Sequence, residues 1–264
     1  ITYKSSSEDP TVDDTSRTIT WVIIDADSDG ADPATSNNDY SYITLEPFND
    51  KPVVTPTIGF TYYTEDGPAA VIDGSITISD VDDIELDSAI VTISSGFTSG
   101  DTLILVNDVS GSLTSTIISD SILYIEGSAT LTDYETALQS ITYESGDDPT
   151  IMTNTRIIDW EVIDAASDVL ESEYEISLVK RDTLEVTPSS DAPIVITGGI
   201  SVSYTENSTA SVINSSIAIT DVDDDSLASA TVTISSGFTS GDTLILESPG
   251  SLDITFSNNE LSIT

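Results

Sequence analysis

Three carboxylate motifs recur in fixed order along this chain, and their chemistry is that of oxygen ligands for a hard cation. The first is a glutamate after a Tyr-Thr pair, Glu65 and again Glu206. The second is Asp-Val-Asp-Asp, as Asp80, Asp82 and Asp83 and then as Asp221, Asp223 and Asp224. The third is Asp133-Tyr134-Glu135. Two stretches before a proline add Asn49 and Asp50, and Ser190 and Asp191. Ca²⁺ takes roughly six to eight oxygens from mixed carboxylates and carbonyls. Aspartates two apart in a loop can reach one ion together. Several like charges gathered without a cation disfavour one another. Three motifs in order, two of them seen twice, therefore point to Ca²⁺.

The composition narrows the alternatives. There are 47 acidic and 6 basic residues, a net charge of −41. Such a chain repels nucleic acid and anionic membrane surfaces. An acidic, well-solvated surface suited to a salty medium is a second reading of the charge, compatible with the first. The chain has no cysteine and no histidine. Disulfides, thiolate sites, the commonest general base and the usual zinc ligand are thereby absent. Serine is plentiful, but the familiar activating partner is missing. A glycosidase-like carboxylate pair fits the spacing, yet these acids sit in repeated loops, so no enzyme is expected. The Gly96 and Gly100 stretch, SGFTSGD, reads as a turn between strands rather than a phosphate loop. No apolar run approaches the roughly 18 residues of a membrane span, and no signal peptide is visible. Ile1 falls inside a strand-like segment, so the natural start is expected elsewhere.

The elements that must position these acids come from an internal repeat. ISSGFTSGDTLIL occupies Ile93–Leu105 and, letter for letter, Ile234–Leu246, 141 residues further on. The same offset relates Tyr63-Thr64-Glu65 to Tyr204-Thr205-Glu206, and Asn49-Asp50-Lys51-Pro52 to Ser190-Asp191-Ala192-Pro193. Ile1-Thr2-Tyr3 matches Ile141-Thr142-Tyr143, and SRTITWVIIDADSD around Arg17 and Trp21 matches TRIIDWEVIDAASD around Arg156 and Trp160. The domains are therefore the C-terminal part of one repeat (1–51), a complete repeat (52–192) and the N-terminal half of a third (193–264). The two partial repeats are nearly complementary. Either they are pieces of a long array, or the tail of one copy meets the head of the next and builds a fibre.

Short alternating segments separated by turn residues predict strands at 58–63, 75–79, 88–94, 102–106, 121–125, 139–143, 156–163 and 174–179. Valine, isoleucine, tyrosine and threonine favour them. The expected fold is all-β: tandem antiparallel Greek-key β-sandwich repeats. Thr132 followed by Glu135 predicts a capping box opening one helical turn at 132–138. Tyr134 is expected as a corner residue, and Trp21 and Trp160 as core anchors.

In motif order, 52–193 resembles a cadherin repeat. Tyr-Thr-Glu206-Asn207, Asp221-Val222-Asp223, Leu131-Thr132-Asp133-Tyr134-Glu135 and Ser190-Asp191-Ala192-Pro193 stand where that family has its Ca²⁺-holding motifs. The third has one extra residue, the repeat is longer than usual, and the linker is poorer in Asp and Asn. More closely, the chain is similar to the cadherin-like tandem repeats of giant bacterial surface adhesins, often exported by type I secretion. The resemblance implies a cadherin/immunoglobulin-like sandwich and Ca²⁺ between successive repeats. Carried over, one junction would use Glu65, Asp133, Glu135, Asp191, Asp221 and Asp223. The preceding one would use Asn49, Asp50, Asp80 and Asp82, with lower ligands outside the chain, and Glu206 would serve a following repeat. The function implied is a calcium-rigidified extracellular stalk, adhesin or filament-forming surface protein whose partners are neighbouring repeats. A glycan-binding module of a secreted protein is the alternative.

Overall fold

Alternation decides the architecture and is most regular at Thr155–Asp164. There Arg156, Ile158, Trp160, Val162 and Asp164 are buried, and the residues between them are partly exposed. A period of two with one buried face is what a sheet packed on a core requires. The computed structural model describes residues 1–264 except 27, 29, 31, 58, 150–152 and 166–173. It divides into two compact units, Ile1–Ser189 and Ser190–Thr264.

The first unit begins with a hairpin, β1 (Ser16–Trp21) and β2 (Asp39–Thr44). Then follow β3 (Val53–Thr55), β4 (Phe60–Thr64), β5 (Ala70–Val71), β6 (Thr77–Ser79), β7 (Glu85–Ser95) and β8 (Thr102–Leu105). Next come β9 (Thr114–Ser119), β10 (Ile122–Thr130), α1 (Leu131–Leu138), β11 (Ile141–Glu144), β12 (Thr155–Asp164) and β13 (Lys180–Thr187). The six-stranded sheet runs β4-β13-β12-β7-β10-β9 and the three-stranded one β5-β11-β8, while β3 pairs with β6. All pairs are antiparallel except β4 with β13. One core joins the sheets: Val91, Ile125, Trp160 and Val162 from the larger, Leu103, Ile141 and Tyr143 from the smaller. Tyr63 and Tyr143 meet edge to face across it, ring centroids 5.2 Å apart. This is the expected all-β sandwich.

Inside the core lies an ion pair. Arg156 and Asp101 have fully buried side chains, with Nε 2.7 Å from Oδ2. Arg156 also donates to the carbonyls of Thr153 and Pro149 and to Thr98 Oγ1, and the Tyr143 hydroxyl donates to Asp101 Oδ1 at 2.6 Å. The pair ties the β7–β8 turn to the start of β12.

The second unit holds β14 (Ile194–Ile196), β15 (Ala218–Thr220), β16 (Ala230–Thr233), β17 (Ile254–Ser257) and β18 (Glu260–Ile263). β14 pairs with β15, and β16-β18-β17 form a three-stranded sheet. Their registers repeat those of β3–β6 and β7–β10–β9.

Several expectations are corrected. The segment 174–179 is not a strand among the described residues; it makes a single bridge, Ile176 to Ile163, and the strand follows at Lys180–Thr187. The predicted strand 58–63 is described from residue 59, since residue 58 lies outside the described residues, and it becomes β4. The helix is capped two residues earlier than predicted: Thr130 is the N-cap and Asp133 closes the capping box. Tyr134 is indeed buried at a corner, donating to the carbonyls of Asp87 and Gly127. Trp160 is buried, whereas Trp21 is 40% exposed.

Asp182 offers a pH test of the core. It accepts a hydrogen bond from Trp160 Nε1 at 2.8 Å. Burial, with a smaller push from Asp73, raises its pKa to about 6 against the opposing Trp160 bond. A carboxyl whose folded pKa lies above its unfolded value favours the native state while protonated, and that stability is lost as pH rises from about 4 through 6. Asp182→Asn keeps an oxygen for Trp160 and removes the ionisation. The variant is expected to be more stable than the parent at pH 8 by roughly 1 kcal/mol, a figure reduced for water that still reaches the carboxyl. The difference should vanish near pH 4 in thermal melts.

Candidate metal centre

The β6–β7 connection folds around one aspartate. Asp80 Oδ1 accepts the backbone N–H groups of Asp82 and Asp83, both at 3.2 Å. Such a side-chain turn is what Asp supplies in a loop, and it sends the following carboxylates back towards the first. Asp164, the last residue of β12, arrives from the other side. The β7–β12 pairing shifts register between Ile163 and Asp164, and Asp164 is fully buried. Oxygens of Asp80, Asp83 and Asp164 all lie within 4.8 Å of one another.

The linker closes this group. Asn49 is buried and its Nδ2 donates to Asp164 Oδ2 at 3.1 Å. The Glu175 N–H donates to the same oxygen at 2.9 Å. The Asp50 N–H donates to Asp82 Oδ2 at 2.9 Å. Lys51 reaches Glu175 at 2.6 Å on the exposed side.

Electrostatics show what this arrangement lacks. Asp80 Oδ2 and Asp82 Oδ1 are buried and receive no hydrogen bond from the protein. Burial, then the Asp82 carboxylate, pushes the Asp80 pKa up to about 7. Asp50 is also raised, by burial first and then by the charges of Asp82, Glu8 and Asp9. Glu8 and Asp9 therefore act on this cluster from the segment before the linker. Buried carboxylate oxygens without donors, close to further carboxylates, match the needs of a hard cation. Asp80, Asp83 and Asp164 form a converging set of oxygen donors of the kind Ca²⁺ takes, with Asp82, Asn49 and Asp50 beside it.

The remaining expected ligands sit as follows. Glu65 is buried in the first unit and accepts the Ser189 N–H at 2.7 Å through Oε2. Asp133 accepts from the Thr130 N–H and hydroxyl as a helix cap. Glu135 Oε1 accepts the Ile78 N–H at 2.8 Å, fastening α1 to β6. These three belong to neither group of carboxylates brought within 4.8 Å among the described residues. The second such group, Asp221, Asp223 and Asp224, lies in the second unit and is more exposed. It copies the first loop. Asp221 Oδ1 accepts from the N–H groups of Asp223 and Asp224, and the Asp191 N–H donates to Asp223 Oδ2 at 3.1 Å. Hydrogen bonding, led by that with Asp221, lowers the pKa of Asp223. Glu206 is exposed.

Asp164 is the member of this carboxylate group that motif reading misses. Its signal is present in the repeat: an aspartate four residues after the tryptophan in both copies, Asp25 after Trp21 and Asp164 after Trp160.

No family model matches the chain, and no curated protein sequence matches it. Among solved structures, the chain is similar to protocadherin gamma B2 extracellular cadherin domains 3–6, with 13% identity and a TM-score of 0.30. The match covers 94% of this chain, which spans about half (51%) of that one. That superposition is too loose to carry an argument, and the strand pairing itself defines the β-sandwich of the first unit. Among the described residues no helix is long and apolar enough to cross a membrane.

Proposed function

We propose that the chain is a calcium-rigidified extracellular stalk of adhesive character, of the kind giant bacterial surface adhesins carry. One observation carries this reading: Asp80, Asp83 and Asp164 converge where the linker Asn49-Asp50 enters the complete repeat, with carboxylate oxygens of Asp80 and Asp82 buried without donors. The ion would be held by Asp80, Asp82, Asp83 and Asp164 and would fix the linker through Asn49 and Asp50. Glu8 and Asp9 would feel the same charge from the preceding segment. With no cysteine in the chain, oxygen-bound cations are the staple that remains. Extracellular modules of this sort use sites with Kd of about 10⁻⁴–10⁻³ M. A spacer also needs no catalytic centre.

Calcium titration followed by small-angle X-ray scattering tests the stalk. Millimolar Ca²⁺ should give a longer, stiffer particle, and a chelator should reverse it. Identical scattering profiles in both conditions would end this reading.

A glycan-binding module is favoured by a different feature, a surface concavity of about 370 Å³ lined by Thr57, Phe60, Asp73 and Asp182 among others. Retention on a polysaccharide column, abolished by Phe60→Ala, would select it.

A further inference from the structure

Asp182 is an acid where the fold does not require one. The residue is 8% exposed. Its Oδ2 accepts Trp160 Nε1 at 2.8 Å, and its Oδ1 receives no hydrogen bond among the described residues. The hairpin β1–β2 shows what the indole needs. There Trp21 Nε1 donates to Ser41 Oγ, also at 2.8 Å. Ser41 stands opposite Ile19 as Asp182 stands opposite Ile158. A hydroxyl therefore serves the tryptophan. A carboxylate in that place carries a desolvation cost as well, and burial raises its pKa.

Asp182 lines the concavity of about 370 Å³ that lies along the β4–β13 pair and the turn after β5. Thr61 Oγ1 donates to the Ile72 carbonyl at 2.5 Å and ties β4 to that turn. Asp73 lines the concavity too and is 7% exposed. Its Oδ1 accepts from the Thr57 hydroxyl and the Ser75 N–H, whereas Oδ2 accepts from the Thr57 N–H alone. Phe60, 61% exposed, supplies an aromatic ring. By the 141-residue offset, Phe60 and Asp73 correspond to Ser201 and Asn214, and Asp182 to Ser41. The turn survives that exchange, since the Ser216 N–H donates to Asn214 Oδ1 as the Ser75 N–H does to Asp73 Oδ1. The fold thus explains the hydrogen bonds at these positions. It does not explain the two charges and the ring.

The lining selects the ligand. Among the described residues that line the concavity there is no lysine or arginine, so an anion finds no partner. Carboxylate oxygens only accept, so the ligand must donate hydrogen bonds. Two carboxylates, one already holding three donors, fall short of the roughly six to eight oxygens that Ca²⁺ takes. A ring with several hydroxyls and an apolar C–H face fits what remains. The volume lies within the roughly 300–1,000 Å³ of small-ligand sites. We propose that this concavity is a subsite for one uncharged pyranose unit of a glycan. Asp182 Oδ1 and Asp73 Oδ2 accept its hydroxyls, and Phe60 lies against its C–H face. The inference rests on the glycan reading of this concavity and is independent of the calcium site.

The chain has two tryptophans, so its indole N–H groups give two resonances, and that of Trp160 reports directly on Asp182. The full chain, isotope-labelled, is titrated in chelator with the methyl pyranosides of glucose, galactose, mannose and N-acetylglucosamine. At least one should move the Trp160 signal saturably, with a Kd on the order of millimolar for a single sugar, and leave that of Trp21 in place. Glucuronic acid should move neither. Asp182→Ser and Asp73→Asn should each weaken binding about tenfold or more. Both introduce the residue type found at the counterpart position, so the fold should hold and melting curves should show it. Silence with all four sugars would overturn the subsite. Binding that survives Asp182→Ser, or a Trp160 shift produced only by calcium or ammonium ions, would overturn it as well. Retention on a polysaccharide column that both variants keep would leave the glycan reading standing at another surface and remove this one. No retention of the parent would end both.

Discussion

Arg156→Ala is expected to destabilise the Ile1–Ser189 unit by about 3–5 kcal/mol, the range for breaking a buried ion pair by removing one partner. The size comes from what is left behind. Asp101 would stay buried with the Tyr143 hydroxyl and the N–H and hydroxyl of Thr98, all neutral donors, to serve its charge. The carbonyl of Thr153 would lose its Arg156 donor, and that of Pro149 would keep the Thr98 hydroxyl alone of the two donors it has now. Burial, followed by the Asp101 bond, raises the Tyr143 pKa, so the phenol stays a donor throughout the working range. Replacing both partners by apolar residues, Arg156→Met with Asp101→Leu, should recover most of the loss, since the desolvation of both charges disappears with them. Urea denaturation read by circular dichroism, arranged as a double-mutant cycle, separates the pair from the packing. A single-substitution loss under about 1 kcal/mol would mean that water reaches the pair.

How much of this was legible beforehand depended on whether a feature is local. The β12 strand could be read because its alternation is carried by its own residues. β13 could not, because YEISLV at 174–179 is as strand-like as Lys180–Thr187. Pairing with β12 and β4 chooses the latter. The identical segment Thr-Leu-Ile-Leu makes the point without any change of sequence. At Thr102–Leu105 it is a strand paired with β11, and at 243–246 it is not a strand and pairs with none among the described residues. A strand is a property of two segments. Two capping frames compete, Thr130-x-x-Asp133 and Thr132-x-x-Glu135, and the β10 exit favours the earlier one. Among the acids, the Asp80–Asp83 loop was visible as a motif. Asp164 was not, since only the fold brings the end of β12 to that loop. Glu135, an expected ligand, accepts the Ile78 N–H and so fastens α1 to β6, a contact its local sequence does not announce.

Calcium at about a hundred times its Kd is expected to stabilise the first unit by about 2.7 kcal/mol per site. For a domain of this size that raises the melting temperature by roughly 5–10 °C. Asp164→Asn distinguishes a bound ion from simple screening of a very acidic surface. The asparagine oxygen can still accept from Asn49 Nδ2 and the Glu175 N–H, so these two hydrogen bonds are kept. In chelator the variant should be at least as stable as the parent, because one of several crowded carboxylates no longer repels the others. In millimolar Ca²⁺ it should be the less stable of the two, having lost a ligand. Crossing of the two stability orders is the signature of a coordinated cation. Magnesium should reproduce little of it, since that ion holds its waters and demands a tighter octahedron. Potassium chloride at matched ionic strength should stabilise parent and variant alike through screening. If potassium alone gave the whole effect, or if Asp164→Asn ran parallel to the parent at every calcium concentration, the convergence of Asp80, Asp83 and Asp164 would be a crowded turn and the charge of the chain merely its solvent coat.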